Sequence, residues 1–316
     1  MHVRDQFKGH TGAVYALVNG PTLGVFLSGG GDGTVVRWNC AAPEEGTLIV
    51  RTDQAVFSLC LLGEDRLGIG GGNGDLRVVD LAGRTELQLL RFHRKGIFRI
   101  IVLPDHRVAC AGGDGVLSIW SLPPADQPLA KLDLLRSIPL AEEKLRDLAL
   151  GPDGGHLAIA CGDGTVRILE ARDFNELYTI AGHEGGANAV AWHPGKPVLL
   201  TGGKDGHLRF WNTDEDYRAI RSIPAHRSTI YRILFNTSGT RCITTSRDKS
   251  AKLWNADTFD PWPSGRMDKS AGGHANSVND ALWMEDDPIT GGDDRRVLRW
   301  ANTSPDGVYH EREVLE

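Results

Sequence analysis

Long apolar runs are missing from this chain. No stretch approaches the roughly eighteen consecutive apolar residues of a membrane-spanning helix, which argues against a membrane span. The amino terminus, MHVRDQFKGH, lacks the apolar core of a signal sequence, so no membrane partner is expected. Cysteine is scarce. The five present (Cys40, Cys60, Cys110, Cys161 and Cys242) are odd in number and never form a CxxC pair. That pattern excludes a disulfide framework and a zinc knuckle, and it points to reduced packing residues in a cytoplasmic protein, with a nuclear location left open. Strong charge is also lacking. A net charge of −6 with a pI near 6.0 gives no overall field drawing in nucleic acid or an anionic membrane, so neither is an expected partner.

Glycine, by contrast, is abundant, at 39 residues, which suits an all-β chain with many tight turns. The glycines follow a rhythm. TGGKDGHLRFWN, ending at Asn212, has near-copies ending at Trp38, Val79, Trp120, Leu169, Trp254 and Trp300. The turn residues stand at 32, 73, 114, 163, 205, 248 and 294, giving gaps of 41, 41, 49, 42, 43 and 46. Seven units of about forty residues must be read before any local feature, because such a period sets the architecture. A histidine precedes most turns by about twenty-two residues, at His10, His93, His183, His226 and His274.

Each unit reads as four short strands, the first over Val14–Val18, Val25–Ser28, Thr34–Trp38 and Leu48–Arg51. Dense Val, Ile and Leu with little strict alternation marks strands covered on both faces. Unit two has lost its markers, with Thr52 at the His place, Ile69 and Asn73 at the hydroxyl and Asp places, and Val79 at the Trp place. Unit four carries Ala141 and Leu169 at the His and Trp places but keeps Asp163. Insertions are expected at Pro123–Pro128, between the third and fourth strands of unit three, and in the irregular stretch between Trp254 and His274, around Phe259–Pro263 and Trp262. With no linker between units, residues 1–316 are expected to form one domain ending in a polar tail, residues 303–316.

On these residues the chain resembles the WD40 repeat family, whose units begin with Gly-His and end with Trp-Asp, softened here to Trp-Asn after Trp38, Trp211 and Trp254. The resemblance runs from Val3 to about Asn302. It implies a seven-bladed β-propeller of four-stranded antiparallel blades, closed by the N-terminal strand. Val3–Phe7 would lie beside Val297–Trp300, with the tail Val308–Val314 as a competitor for the same edge. It also implies a hydrogen-bonded chain of Asp, His, hydroxyl and Trp in each well-marked blade. The sets are His10, Ser28, Asp32, Trp38; His93, Cys110, Asp114, Trp120; His183, Thr201, Asp205, Trp211; His226, Thr244, Asp248, Trp254; and His274, Thr290, Asp294, Trp300.

Ser28, His10 and Asp32 are also the residue types of a nucleophilic triad. Fivefold repetition at fixed spacing, with Ser exchanged for Thr or Cys, argues for a structural clasp instead. No catalytic residue, metal ligand or cofactor site is expected. His106, His156, His193, His207 and His310 show no ligand spacing and are expected to face solvent. Trp192, Phe235 and Trp283 share one repeat position and are expected to make contacts between blades.

In similar proteins the loops carrying the His and the Asp form the narrower face, and partners touch residues three and five after the His and the one before the Asp. Carried over, the last of these places gives Lys204, Arg247 and Asp293, and the first gives Lys144. Five after the His stand Tyr15, Phe57, Phe98, Arg146, Asn188, Tyr231 and Asn279. Aromatic residues thus gather on units one to three and basic ones on units four to six. The expected function is a non-enzymatic protein–protein interaction scaffold, a subunit of a larger complex, whose partner is a peptide or protein with an acidic or phosphorylated portion. The alternatives are a propeller enzyme of the metal-dependent lactonase or hydrolase class and an RNA- or nucleosome-binding subunit. Six after the His, Arg99 with Asp147 and Arg232 with Asp280 are expected to form two salt bridges near the channel.

Overall fold

A computed structural model of the chain describes residues 1–124 and 131–301. Seven separate sheets of four antiparallel strands follow one another along the chain. Blade one comprises Val14–Asn19, Val25–Gly30, Thr34–Asn39 and Ala42–Arg51. Blades two to six repeat this plan, with first strands at Val56–Leu61, Ile97–Leu103, Leu145–Leu150, Ala187–Trp192 and Ile230–Phe235. Blade seven takes Val278–Met284, Asp287–Gly292 and Val297–Ala301 from the end of the described chain and its fourth strand, His2–Phe7, from the beginning. Val3 pairs with Trp300 and Phe7 with Val297, so the N-terminal strand closes the ring. The tail Val308–Val314 and His310 lie outside the described residues.

Seven apolar clusters hold the ring, and each is shared between two neighbouring sheets. Phe7, Phe26, Trp38 and Leu282 join blades seven and one, and Ala160, Val166, Leu199 and Trp211 join blades four and five. Strands packed in this way are covered on both faces, which is why Val25–Gly30 is buried at every position and its sequence shows no alternation. Polar ties add to the contacts between sheets: Trp192 Nε1 donates to the Ala149 carbonyl at 2.9 Å, and Trp283 Nε1 to that of Leu234 at 3.3 Å. The Asp-Gly turns contribute as well. Gly206 has φ +72°, and a Cβ there would meet the carbonyl oxygen of His226 in the next blade's entry loop.

Two expectations need correction. The stretch after Trp254 is not irregular throughout. Pro261–Met267 supplies the fourth strand of blade six, Pro261 pairing with Trp254, because a blade without that strand would leave Ala251–Asn255 with an open edge. His193 is buried, 4% exposed, where its Nε2 lies 3.2 Å from the Ala256 carbonyl and its Nδ1 accepts from Gly195 N–H at 3.0 Å. The insertion at Pro123–Pro128 falls partly outside the described residues, but the Pro123 carbonyl accepts from Arg66 at 2.8 Å.

Candidate functional site

The turn after each second strand holds the Asp place and the loop entering each first strand holds the His place, filled by Asp and His in five blades, so all seven pairs of loops lie at one end of the ring. We call this end the His–Asp face. In blade one, Trp38 Nε1 donates to Ser28 Oγ at 2.7 Å, Ser28 Oγ stands 2.7 Å from His10 Nε2, and His10 Nδ1 lies 3.2 Å from the Asp32 carboxylate. An indole N–H can only donate, so the hydroxyl accepts it and gives its own proton to Nε2, leaving Nδ1–H for the carboxylate. Blades five, six and seven repeat the pattern through Thr201, Thr244 and Thr290, each within 2.9 Å of its His and its Trp. Ser28, Thr201, Thr244 and Thr290 are all fully buried. A nucleophile needs an open approach, whereas these hydroxyls are enclosed and engaged on both sides.

Blade three departs from expectation. Cys110 is not the link. Ser118, on the neighbouring strand and directly opposite Cys110, takes the bond from Trp120 Nε1 at 2.8 Å and meets His93 Nε2 at 2.8 Å. A thiol donates and accepts weakly, and the hydroxyl one strand away fills the same space between the two rings. The sequence signal was a serine two residues before the Trp.

The aspartates of these clasps are held below the usual carboxylate range. Burial pushes the Asp32 carboxyl up, but hydrogen bonds from Thr34 and from Thr11 N–H, with the His10 ring beside it, outweigh burial. Burial likewise depresses His93, His183 and His226 against the pull of their carboxylates.

Inside the loops of the His–Asp face, aromatic side chains stand against one another across blades. Tyr15 and Phe57 meet edge to face at 5.4 Å, and Phe57 stacks on Phe98 at 5.4 Å with ring planes 8° apart. The guanidinium of Arg146 lies 4.5 Å over Phe98, and Lys144 Nζ lies 5.9 Å from the same ring. Burial lowers the pKa of Arg146, and the structure brings no carboxylate to it among the described residues. Tyr231 is half-buried, with Arg247 and Arg146 near enough to act on its hydroxyl, although burial dominates and raises its pKa. Asn279 donates to the Val14 carbonyl at 2.9 Å and to Asp293 at 2.8 Å, which ties blade seven to blade one. A small pit of about 60 Å³ opens among Tyr15, Phe57, Phe98, Arg146, Tyr231 and Asn279.

Other sequence candidates fall elsewhere. Asn188, at the equivalent place in blade five, is 5% exposed and sits below the surface. The loop above it, with Gly185 and Gly186 both at positive φ, is crossed by Lys204. Lys204 and Arg247 are exposed on the rim outside the pit.

Beneath the pit the expected pair of salt bridges is one network. Arg99 Nε lies 3.0 Å from Asp147, and Arg232 lies 3.3 Å from both Asp147 and Asp280. Asp147 also accepts from Val190 N–H at 3.2 Å and Asp280 from Leu17 N–H at 2.8 Å, so the carboxylates join blade four to five and seven to one. Burial raises both carboxyls to about 6, against the nearby Arg99 charge.

The ring of seven four-stranded sheets with repeated polar clasps defines the class, a seven-bladed β-propeller. The chain belongs to the WD40 family. The family model described as WD domain, G-beta repeat, matches residues 2–39, 84–121, 134–169, 174–212 and 217–255, more than half of the chain. Blade four is matched despite its lost markers, whereas the first three strands of blade seven, whose unit keeps all of them, lie outside the match.

Among curated proteins the chain is 26% identical over 140 residues to the Probable cytosolic iron-sulfur protein assembly protein 1 of Kluyveromyces lactis, covering 41% of this chain and 42% of that protein. It is 30% identical over 105 residues to the Polycomb protein esc of Drosophila melanogaster, covering 32% and 25%. With human Striatin-3 it shares 28% identity over 122 residues, covering 34% and 15%. The chain thus spans less than half the length of these relatives. A chain in the crystal structure of the mitotic checkpoint complex superposes with a TM-score of 0.80 at 18% identity, over 94% of this chain and 93% of that one, a likeness of fold alone.

Proposed function

We propose that this protein is a non-enzymatic interaction platform whose His–Asp face holds a peptide or protein segment with an apolar anchor followed by an acidic or phosphorylated group. The observation that carries the reading is the ladder Tyr15, Phe57, Phe98 ending in the carboxylate-free guanidinium of Arg146. Aromatic rings and arginine supply most of the energy at protein interfaces, and a guanidinium held partly out of water favours a carboxylate or phosphate that can take two of its hydrogen bonds. Exposed Lys144, Lys204 and Arg247 extend the positive arc, while half-buried Tyr231 and Asn279 complete the rim. Similarity to a Polycomb protein, and a fold shared with a chain of the mitotic checkpoint complex, support a place as a subunit of a larger assembly.

Binding to an array of peptides, each with an aromatic or aliphatic residue beside an acidic or phosphorylated one, tests this. Arg146→Glu with Arg247→Glu is expected to abolish the strongest signals, and Arg247→Glu alone, at an exposed position, to weaken them without lowering the melting temperature. Unchanged binding by the double variant removes the reading.

A further inference from the structure

We propose that the half of the central channel away from the His–Asp face binds a small amphiphilic carboxylate, a medium-length apolar chain ending in one carboxylate group. The inference is independent of the reading of the His–Asp face. The space is a cavity of about 410 Å³, within the roughly 300–1,000 Å³ of small-molecule sites. Its walls come from blades three to six and are mostly apolar, with Ile101, Leu148, Trp192 and Phe235 among them and Asn236 and Thr237 as polar members.

Among the described residues the only charged side chains in that lining are Arg99 and Arg232, and they are the two residues that the cavity shares with the pit. Asp147 and Asp280, the partners of these arginines, line the pit and not the cavity. Seen from the cavity, the end that meets the pit is therefore lined by arginine and not by aspartate.

The guanidiniums are also under-used. Nε of both Arg99 and Arg232 is buried and makes no aligned hydrogen bond among the described residues, although each stands against a carboxylate, Arg232 Nε 3.3 Å from Asp280. Arg99 meets Asp147 as an ion pair at 3.0 Å without the alignment of a hydrogen bond. Arg232 Nη1 reaches the two Asp147 oxygens only at 3.3 and 3.4 Å, beyond the ordinary range for such bonds. Each guanidinium has five donors, and the ion pairs engage Nε of both and Nη1 of Arg232, so the remaining Nη groups are the ones that can turn to a ligand. Blade packing does not call for charge here, since the equivalent places hold Ala16, Ser58 and Ala189.

The chemistry narrows the ligand. A carboxylate is planar and fits the guanidinium fork in two parallel bonds. Because two arginines are already matched by two aspartates, a singly charged head group adds less uncompensated charge to the cavity than a doubly charged phosphate. The apolar walls ask for a hydrocarbon body behind the head group.

The test is calorimetric titration of the full chain with octanoate, set beside octan-1-ol and acetate, with the methyl signals of Ile101 and Leu148 followed by NMR. Octanoate is expected to bind saturably and to shift those methyls, with octan-1-ol and acetate at least about tenfold weaker. Arg99→Gln and Arg232→Gln are each expected to weaken octanoate by about tenfold while leaving octan-1-ol unchanged. Ala149→Leu narrows the cavity with both arginines intact, so it decides the matter if an arginine variant fails to fold, and it is expected to abolish octanoate binding. The proposal is overturned by absence of octanoate binding at millimolar concentration, by octan-1-ol binding as well as octanoate, or by undiminished octanoate binding in Ala149→Leu.

Discussion

Blades four and five are neighbours with the same four strands, yet one has a polar clasp and the other has none. In blade five, His183, Thr201, Trp211 and Asp205 form the continuous chain of hydrogen bonds. Blade four has Ala141, Ile159 and Leu169 at the first three places, and Ile159 and Leu169 pack with Leu157 and Phe174 in a dry cluster. Blade two has made the same exchange, with Ile69 and Val79 fully buried. The buried members of the set, His, hydroxyl and Trp, are therefore kept or replaced together. Substituting both ends of a buried hydrogen bond by apolar groups is nearly neutral, whereas removing one end leaves the other desolvated and unpaired. Asp163 survives in blade four because its bonds, to Thr165 N–H and Oγ1, are local to its own turn.

The strongest way to break this comparison is at the Trp. Trp211→Ala removes the largest clasp member and empties its space between blades four and five, an expected loss of about 3–5 kcal/mol in urea unfolding. His183→Ala, which strands the Thr201 hydroxyl and the Asp205 carboxylate, is expected to cost about 1–3 kcal/mol. Writing blade four's solution into blade five, as His183→Ala with Thr201→Ile and Trp211→Leu, is expected to cost less than the sum of the three single changes. A cost equal to or above that sum would show that the clasp is not a unit.

Acid separates the two blades by sign. In blades five and six, burial pushes the Asp205 and Asp248 carboxyls up, but hydrogen bonds from their His and from Arg209 or Ser250 bring both below the usual range. Burial depresses His183 and His226. A depressed pKa contributes stability that is present above the unfolded value, about 3.9 for Asp and 6.5 for His, and is lost as pH falls. Asp147 of blade four is raised to about 6, so its contribution is complete below the unfolded value and disappears as pH rises through 6. Hydrogen exchange, corrected for intrinsic rates, is expected to show this. From about pH 7 to about pH 5, strand His207–Asn212 should lose protection relative to Thr165–Glu170 by about tenfold, the equivalent of one pKa unit. Equal change in both strands would remove the distinction.

The same contrast explains what could be read from the sequence. The number of blades, their turns and four of the five clasps follow from spacing, because a repeated unit reports each position several times. Ring closure by His2–Phe7 was legible because that strand stands where every other unit has its fourth. Cys110 was misplaced because spacing identifies a position along one strand, while the bond is made to Ser118 on the strand beside it. Asn188 was misplaced for a related reason. Repeat position gives direction, but its depth is set by the Gly185-Gly186 loop and Lys204 above it. The joining of Arg99, Asp147, Arg232 and Asp280 into one network depends on contacts across the channel, which no period along the chain contains.

The smallest expected effect lies just past the clasp, where the family's Trp-Asp is written Trp-Asn. Asn255 Oδ1 accepts from Asp257 N–H at 2.7 Å and Thr258 N–H at 3.1 Å, and Asn212 Oδ1 accepts from Asp214 N–H at 3.1 Å. In both cases the work is done by an oxygen acceptor, which a carboxylate supplies equally well. Asn255→Asp is therefore expected to change unfolding stability by no more than about 0.5 kcal/mol, the range of ordinary surface changes, and Asn255→Ala by about 1 kcal/mol as the turn loses its acceptor. A large loss in Asn255→Asp would mean that the amide N–H₂ is engaged, and that the change from Asp to Asn is part of the clasp and not of the turn behind it.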